Sequence, residues 1–261
     1  MKIVKKFFLI AVVFSVILTV FYFSWFSHQY VVPILMYHRF GYENNTLYVT
    51  PENFDRQMAY IKNKNYDVIS LDELVDGIKN NRKFKHRTVV ITTDDGYKDN
   101  YTYAYPILRR YNFPATIFIV SNFIDNKEDF MNWDEINTAS NDNISFGGHT
   151  KNHVYLPSIK ERAVLLDEIE GCKEFIRGKT GSSVDYFCYP IGGFNEEVKR
   201  FVKKAGYKGA CTTNRGFAEL NKDVYELKRV KVTNSDMNKP FSFWAKLSGY
   251  YNLFRSRKRG Y

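Results

Sequence analysis

The sequence predicts an α/β chain behind one membrane-spanning helix, with a parallel sheet that either closes into a barrel or is doubly wound. Apolar strand-like runs alternate with amphipathic helix-like segments about six times, the pattern of βα units. An uncharged apolar run stands at the extreme N-terminus. Polar, reactive side chains follow directly on the strand-like runs, and both arrangements gather their chemistry at the C-terminal ends of strands. With 261 residues, 44% hydrophobic and 17% aromatic, the chain can bury a full core, which argues against disorder and for one domain with a short appendage.

At the N-terminus, Lys2, Lys5 and Lys6 precede the run from Phe7 to Phe26, roughly the 20 residues that cross a bilayer core. That is long for a signal-peptide core. Phe21-Tyr22-Phe23-Ser24-Trp25-Phe26 is aromatic where a cleavage site wants small residues, and no cysteine is there for lipid attachment. Residues 1–28 therefore read as an uncleaved signal anchor, and the lysines before it put the rest of the chain outside the cytoplasm at the plasma membrane. A buried core helix would not be apolar on every face.

Residues 29–235 hold the alternation. Strands are expected at Ile34 to Met36, Val89 to Thr92, Ala115 to Val120, Ile144 to Phe146, Tyr186 to Tyr189 and Gly209 to Thr212. Ser70 with Glu73, and Ser158 with Glu161, have the form of capping boxes that open helices. Asn195 caps a further helix through Val198 and Val202, ending at Gly206. Residues 236–261 form an aromatic and basic tail, from Phe241-Ser242-Phe243-Trp244 to Arg255, Arg257, Lys258 and Arg259, that either rests on lipid headgroups or packs as a C-terminal helix. Cys172, Cys188 and Cys211 lack CxxC spacing and are odd in number, so they read as buried thiols. A net charge of +10 is one signature of nucleic-acid binding, but beside a membrane anchor it points to anionic lipid or wall polymer, or to a solvated tail.

The strand ends carry the chemistry. Asp94, Asp95 and Gly96 follow the second run, His149-Thr150-Lys151-Asn152-His153 the fourth, and Pro190-Ile191-Gly192-Gly193 the fifth. Histidines at i and i+4 share a face on a helical turn and can reach one metal ion. The residues between them lack the glutamate of a HExxH metalloprotease, so the base lies elsewhere. The aspartate pair supplies one carboxylate as third ligand and another as base, with the turn at Gly96 letting both enter one pocket. Taken singly, paired histidines are often surface residues and Asp-Asp-Gly is often a turn. Their joint occurrence at successive strand ends, in a chain with five histidines, favours a site.

These residues resemble the polysaccharide deacetylase family, the NodB-homology esterases of carbohydrate esterase family four. The likeness rests on Thr92-Thr93-Asp94-Asp95-Gly96 and His149-Thr150-Lys151-Asn152-His153, with family-like sequence from Pro33-Ile34-Leu35-Met36-Tyr37-His38-Arg39 to Arg229-Val230. It implies a distorted (β/α) barrel that removes acetyl groups from N-acetylglucosamine residues of a polysaccharide and releases acetate. It implies that Asp95, His149 and His153 hold a divalent cation, for which Zn2+ suits the donors and Co2+, Ni2+ or Fe2+ would fit. It implies Asp94 as general base, the Ile191 N–H as oxyanion donor, and Tyr189 and Pro190 of the same motif as substrate contacts.

Departures from the family pattern matter. No histidine follows His153, so the usual acid is absent from Glu226-Leu227-Lys228-Arg229-Val230. His38, at the end of the first strand, is the substitute, similar to the permuted subgroup that includes biofilm poly-N-acetylglucosamine deacetylases; the alternative is a loop hydrogen bond. Cys188 stands where an arginine begins the third motif, so the group that orients Asp94 is open; the likeness to the permuted subgroup implies Arg39, by position, as a candidate. Trp133 either stacks on a sugar or packs in the core. His28 and His86 read as surface residues. Two rival readings are a deacetylase of a lipid-linked or small acetylated sugar and a catalytically silent polysaccharide-binding module.

Overall fold

The computed structural model describes residues 2–213, 221–239 and 241–253. The chain opens with α1 (Lys2–Ser24) and a single turn, Phe26–Gln29. It continues through β1 (Ile34–Tyr37), β2 (Arg39–Phe40), β3 (Tyr48–Val49), α2 (Pro51–Asn63), β4 (Asp67–Val68), α3 (Leu71–Lys79) and β5 (Thr88–Thr93). Next come α4 (Tyr105–Tyr111), β6 (Ala115–Ile119), α5 (Trp133–Ser140), β7 (Ile144–Gly148), α6 (Arg162–Leu166), α7 (Cys172–Thr180) and β8 (Tyr186–Cys188). Then follow α8 (Glu196–Lys204), β9 (Gly209–Thr212), β10 (Leu227–Lys228), β11 (Val230–Lys231) and α9 (Ser242–Leu247).

Every ladder of the main sheet is parallel, in the order β10-β9-β8-β7-β6-β5-β1-β11, with β4 added beside the start of β5. The two ends of that order are one stretch of chain. Leu227 and Lys228 pair with Cys211 and Thr212, and two residues later Val230 and Lys231 pair with Leu35 and Met36. Residues 227–231 therefore zip β9 to β1 and nearly close a barrel, which decides between the two α/β arrangements. Arg229 is the residue at which the strand changes partner.

Alternation along the strands divides the interior from the helical shell. Ile34, Val90, Phe118, Cys188, Cys211 and Leu227 cluster inside the barrel, while Leu35, Val89, Ile91, Ile117, Phe187 and Ala210 face the helices. Continuing that alternation past the strand ends puts His38, Asp94 and His149 on the inner face at one rim.

Local signals explain the helices. Thr50, Ser70 and Asn195 accept from the backbone N–H three residues on, at Asn53, Glu73 and Val198, and Asn132 with Glu135 forms a reciprocal capping box. The box expected at Ser158 does not form. Its hydroxyl turns back to the Tyr155 carbonyl within a single tight turn, and α6 starts later, at Arg162.

The N-terminal helical segment contains an 18-residue stretch with a mean hydropathy of 2.5 and is long and apolar enough to cross a bilayer. Its large apolar side chains stand exposed rather than packed on the barrel. Within residues 236–253, Phe243 and Leu247 are buried in the hydrophobic core and Leu253 is buried as well. Lys246 Nζ meets Asp236 at 2.6 Å, and Val31 N–H donates to the Gly249 carbonyl. Arg255, Arg257, Lys258 and Arg259 lie outside the described residues.

Candidate active site

The second inner-face carboxylate arises from backbone reversal. Asp94 continues the strand direction, whereas Asp95 has φ +74° and Gly96 φ +77°, so the reversal expected at Gly96 begins one residue earlier. Adjacent side chains thereby reach one pocket. A Cβ on Gly96 would stand 2.7 Å from Ile119 Cγ2, which requires glycine there independently of its φ.

The histidine pair is not on a helical turn, contrary to the reading from spacing. Thr150 and His153 both have positive φ, and the segment is an irregular loop. It is pinned by Glu168, which is buried and accepts from Lys151 N (2.9 Å), Asn152 N (3.0 Å) and Asn152 Nδ2 (2.6 Å). Thr150 Oγ1 accepts from His153 N at 2.9 Å. His149 Nδ1 donates to the Cys188 carbonyl at 2.7 Å, which turns Nε2 toward the pocket.

Asp95 Oδ1 lies 3.4 Å from His149 Nε2 and 3.3 Å from His153 Nε2. The contact geometry is not that of hydrogen bonds, and this buried oxygen has no hydrogen-bond partner among the described residues. A carboxylate oxygen left bare among two imidazole nitrogens fits a divalent cation, which Asp95, His149 and His153 could hold with one atom each. Burial opposes ionisation of Asp95, yet the flanking imidazoles hold it well below the usual carboxylate range. His149 is raised despite its burial by the Cys188 side chain, Asp95 and Asp94, so this corner of the pocket attracts positive charge. The alternative grouping of Asp94, His149 and Cys188 is already satisfied by Arg229 and by the Cys188 carbonyl.

Arg229, fully buried, grips Asp94 with both nitrogens at 2.6 Å and also reaches Thr92 Oγ1 and Cys188 Sγ at 3.0 Å each. Burial would raise the Asp94 carboxyl, but this guanidinium outweighs it and keeps the group ionised. Sequence reasoning missed Arg229 and offered Arg39. Arg39 instead binds Asp99 at 2.6 Å and lies over the Tyr97 ring at 4.0 Å, on the outer rim. A charged residue in a short strand between Leu227 and Val230 was the available signal.

His38 stands with Nε2 3.8 Å from Asp94 Oδ2. Its carbonyl accepts from Asn100 Nδ2, whose Oδ1 takes the Thr93 hydroxyl, so the first strand end is tied to β5. Ile191 has φ 60° and ψ 0°, unusual for a β-branched residue, and its side chain is 57% exposed. Thr213 Oγ1 bonds to the Ile191 carbonyl and Thr212 Oγ1 to that of Gly192, locking the turn. Tyr189 and Pro190 are buried; Tyr189 stacks on Phe194 and donates to the Tyr225 carbonyl, so its ring supports the turn rather than facing a ligand. Trp133 is 8% exposed and packs edge-on against Phe175, which makes it a core residue.

A family profile described as polysaccharide deacetylase matches residues 81–210. The chain is 30% identical over 202 residues to the YxkH protein of Bacillus subtilis (strain 168), named for the polysaccharide deacetylases, across 77% of this chain and 71% of that one. It is 24% identical over 209 residues to the poly-beta-1,6-N-acetyl-D-glucosamine N-deacetylase of Staphylococcus aureus (strain MSSA476), covering 75% and 71% of the two. The solved structure of the Streptococcus pyogenes deacetylase PplD in complex with acetate superposes with a TM-score of 0.77 at 25% identity, over 83% of this chain and 98% of that one. Sequence likeness and shared barrel agree, and the chain belongs to the polysaccharide deacetylase family.

Proposed function

We propose that this polysaccharide deacetylase removes N-acetyl groups from N-acetylglucosamine residues of an extracellular polymer, with a divalent cation held by Asp95, His149 and His153. The observation that carries the reading is the unpartnered Asp95 oxygen between two imidazole nitrogens. Two nitrogens and one oxygen suit Zn2+, and Co2+, Ni2+ or Fe2+ accept the same set. When bound, the cation supplies Lewis acidity to the acetyl carbonyl and to the attacking water.

The chain's own groups do the rest. Asp94, kept ionised by Arg229, takes the proton from the attacking water. The Ile191 N–H donates to the oxygen on which negative charge develops, and the locked left-handed turn sets its aim. Burial holds the His38 imidazole below its ordinary range, against the pull of Asp94 and Asp95. His38 is therefore neutral at rest; it collects the proton from Asp94, 3.8 Å away, and passes it to the leaving nitrogen. Amine and acetate result.

The apolar N-terminal helix is read as a membrane anchor. It feeds the start of β1, while the reactive groups stand at that strand's other end. A pocket that opens away from the anchor favours a polymer over a lipid-linked sugar.

The test is acetate release from poly-N-acetylglucosamine by the solubilised full chain. We expect release with metal, none after chelation, and a large loss in His38→Ala. Asp95→Ala should lose the cation, whereas Asp94→Asn should keep it and lose turnover. No release with any of the four metals would overturn the substrate assignment, and a fully active Asp94→Asn would overturn the base.

A further inference from the structure

The strongest feature outside the site is a basic loop at the opposite end of the barrel. Five of the nine residues from 79 to 87 are lysine or arginine, with His86 among them and no acid. Lys79, Arg82, Lys83, Lys85, His86 and Arg87 are all exposed. Arg82 pairs with Glu73, but Lys79, Lys83 and Lys85 make no ion pair among the described residues.

This loop leads into β5 and touches the point where the apolar helix ends. Tyr30 donates to the Lys85 carbonyl at 3.1 Å and its ring stacks on His86 at 4.4 Å. Phe23 and His28, from the end of the helical segment, line one cavity of about 600 Å³ with Arg82, Lys83, Phe84 and His86. Phe23 belongs to the apolar span, so the loop stands at headgroup depth if α1 crosses a bilayer. It begins fifty residues beyond Gln29 in sequence, outside the roughly 15–20 residues over which flanking charge sets topology.

We propose that the 79–87 loop is a docking surface for anionic lipid headgroups, whose phosphate oxygens meet Lys79, Lys83 and Lys85 beside the cavity at the helix exit. The inference rests on reading α1 as a membrane span. Each such residue near an anionic surface strengthens attachment by about fivefold, and the effect fades over a Debye length. Tethered at α1 and held at the loop, the barrel stands upright with its site pointed away from the bilayer.

The test places the full chain in nanodiscs of phosphatidylcholine, with and without phosphatidylglycerol, and follows amine labelling of individual lysines by mass spectrometry. Lys83 and Lys85 should be labelled about fivefold more slowly with phosphatidylglycerol, and added salt should restore the rate. In Lys83→Glu/Lys85→Glu the same comparison is read from hydrogen exchange across 79–87, where the lipid dependence should vanish while acetate release from a soluble N-acetylglucosamine oligomer persists. Equal labelling in the two lipids, with α1 resisting alkaline extraction, would overturn the docking surface and leave the anchor. Loss of the chain from nanodiscs on extraction would overturn both. Shielding by soluble polyglycerol phosphate but not by lipid would assign the loop to a wall polymer and overturn the proposal.

Discussion

Arg229 and Asp94 form a buried, bidentate pair, so removing the cation leaves a charge with no water to solvate it. Arg229→Met should lower stability by about 3–5 kcal/mol. Turnover should fall while bound metal, measured by elemental analysis, stays at wild-type stoichiometry, because Asp95, His149 and His153 do not touch Arg229. Loss of metal with turnover would mean that the arginine supports the whole pocket rather than the base. At Ile191 the sign is opposite. A β-branched residue in the left-handed region is strained by roughly 1–2 kcal/mol, and Ile191→Gly releases that strain. Thermal unfolding should rise by about 2–4 °C per kcal/mol recovered, while kcat falls as the N–H loses its fixed aim.

The histidine loop is held as an element by Glu168, whose three accepted hydrogen bonds come from Lys151 and Asn152 between the two histidines. Glu168→Ala should weaken cation binding about tenfold, read by competition with a chelating dye, although the residue touches neither imidazole. Unchanged affinity would show that Thr150 and the barrel suffice to hold the loop. The C-terminal segment is tied similarly by Asp236, which accepts from Thr233, Ser242 and Lys246. Burial would raise its carboxyl, but the Lys246 and Ser242 bonds outweigh that and hold it low. A carboxyl whose folded pKa is depressed contributes stability above its unfolded pKa, about 3.9, and that contribution disappears as pH falls through the folded value. Urea midpoints of the wild type should therefore drop on acidification below about pH 4 more steeply than those of Asp236→Asn, which should be less stable at neutral pH. Parallel curves would remove Asp236 from the acid response.

On the scale of the whole molecule, the barrel separates two tasks. One rim carries the inward continuation of each strand, where His38, Asp94 and His149 converge, and the other receives the apolar helix and the basic 79–87 loop. Parallel strands enforce this, since the described strands of the main sheet all run from the helix-exit end toward the site end. Closure is as consequential as direction. Residues 227–231 bridge β9 and β1, and the same short stretch delivers Arg229 to the centre of the pocket.

The sequence alone determined the alternation of strands and helices, the apolar helix, and the carboxylate and histidine motifs, because each is written in neighbouring residues. Periodicity reports which face a side chain takes, and a strand end followed by Asp94-Asp95 or His149 is a local event. What only the tertiary structure decided depends on residues far apart in the chain. Barrel closure needs residues near 35 and 230 to pair. Arg39 and Arg229 are both arginines after or within short strands, and nothing local says which faces Asp94; one has Asp99 sixty residues away and the other Asp94 at 135. Tyr189 is implied as a sugar contact by its motif and Trp133 is open between a sugar and the core; a motif or a residue type does not record burial, and the structure buries both, with Tyr189 on Phe194 and Trp133 edge-on to Phe175.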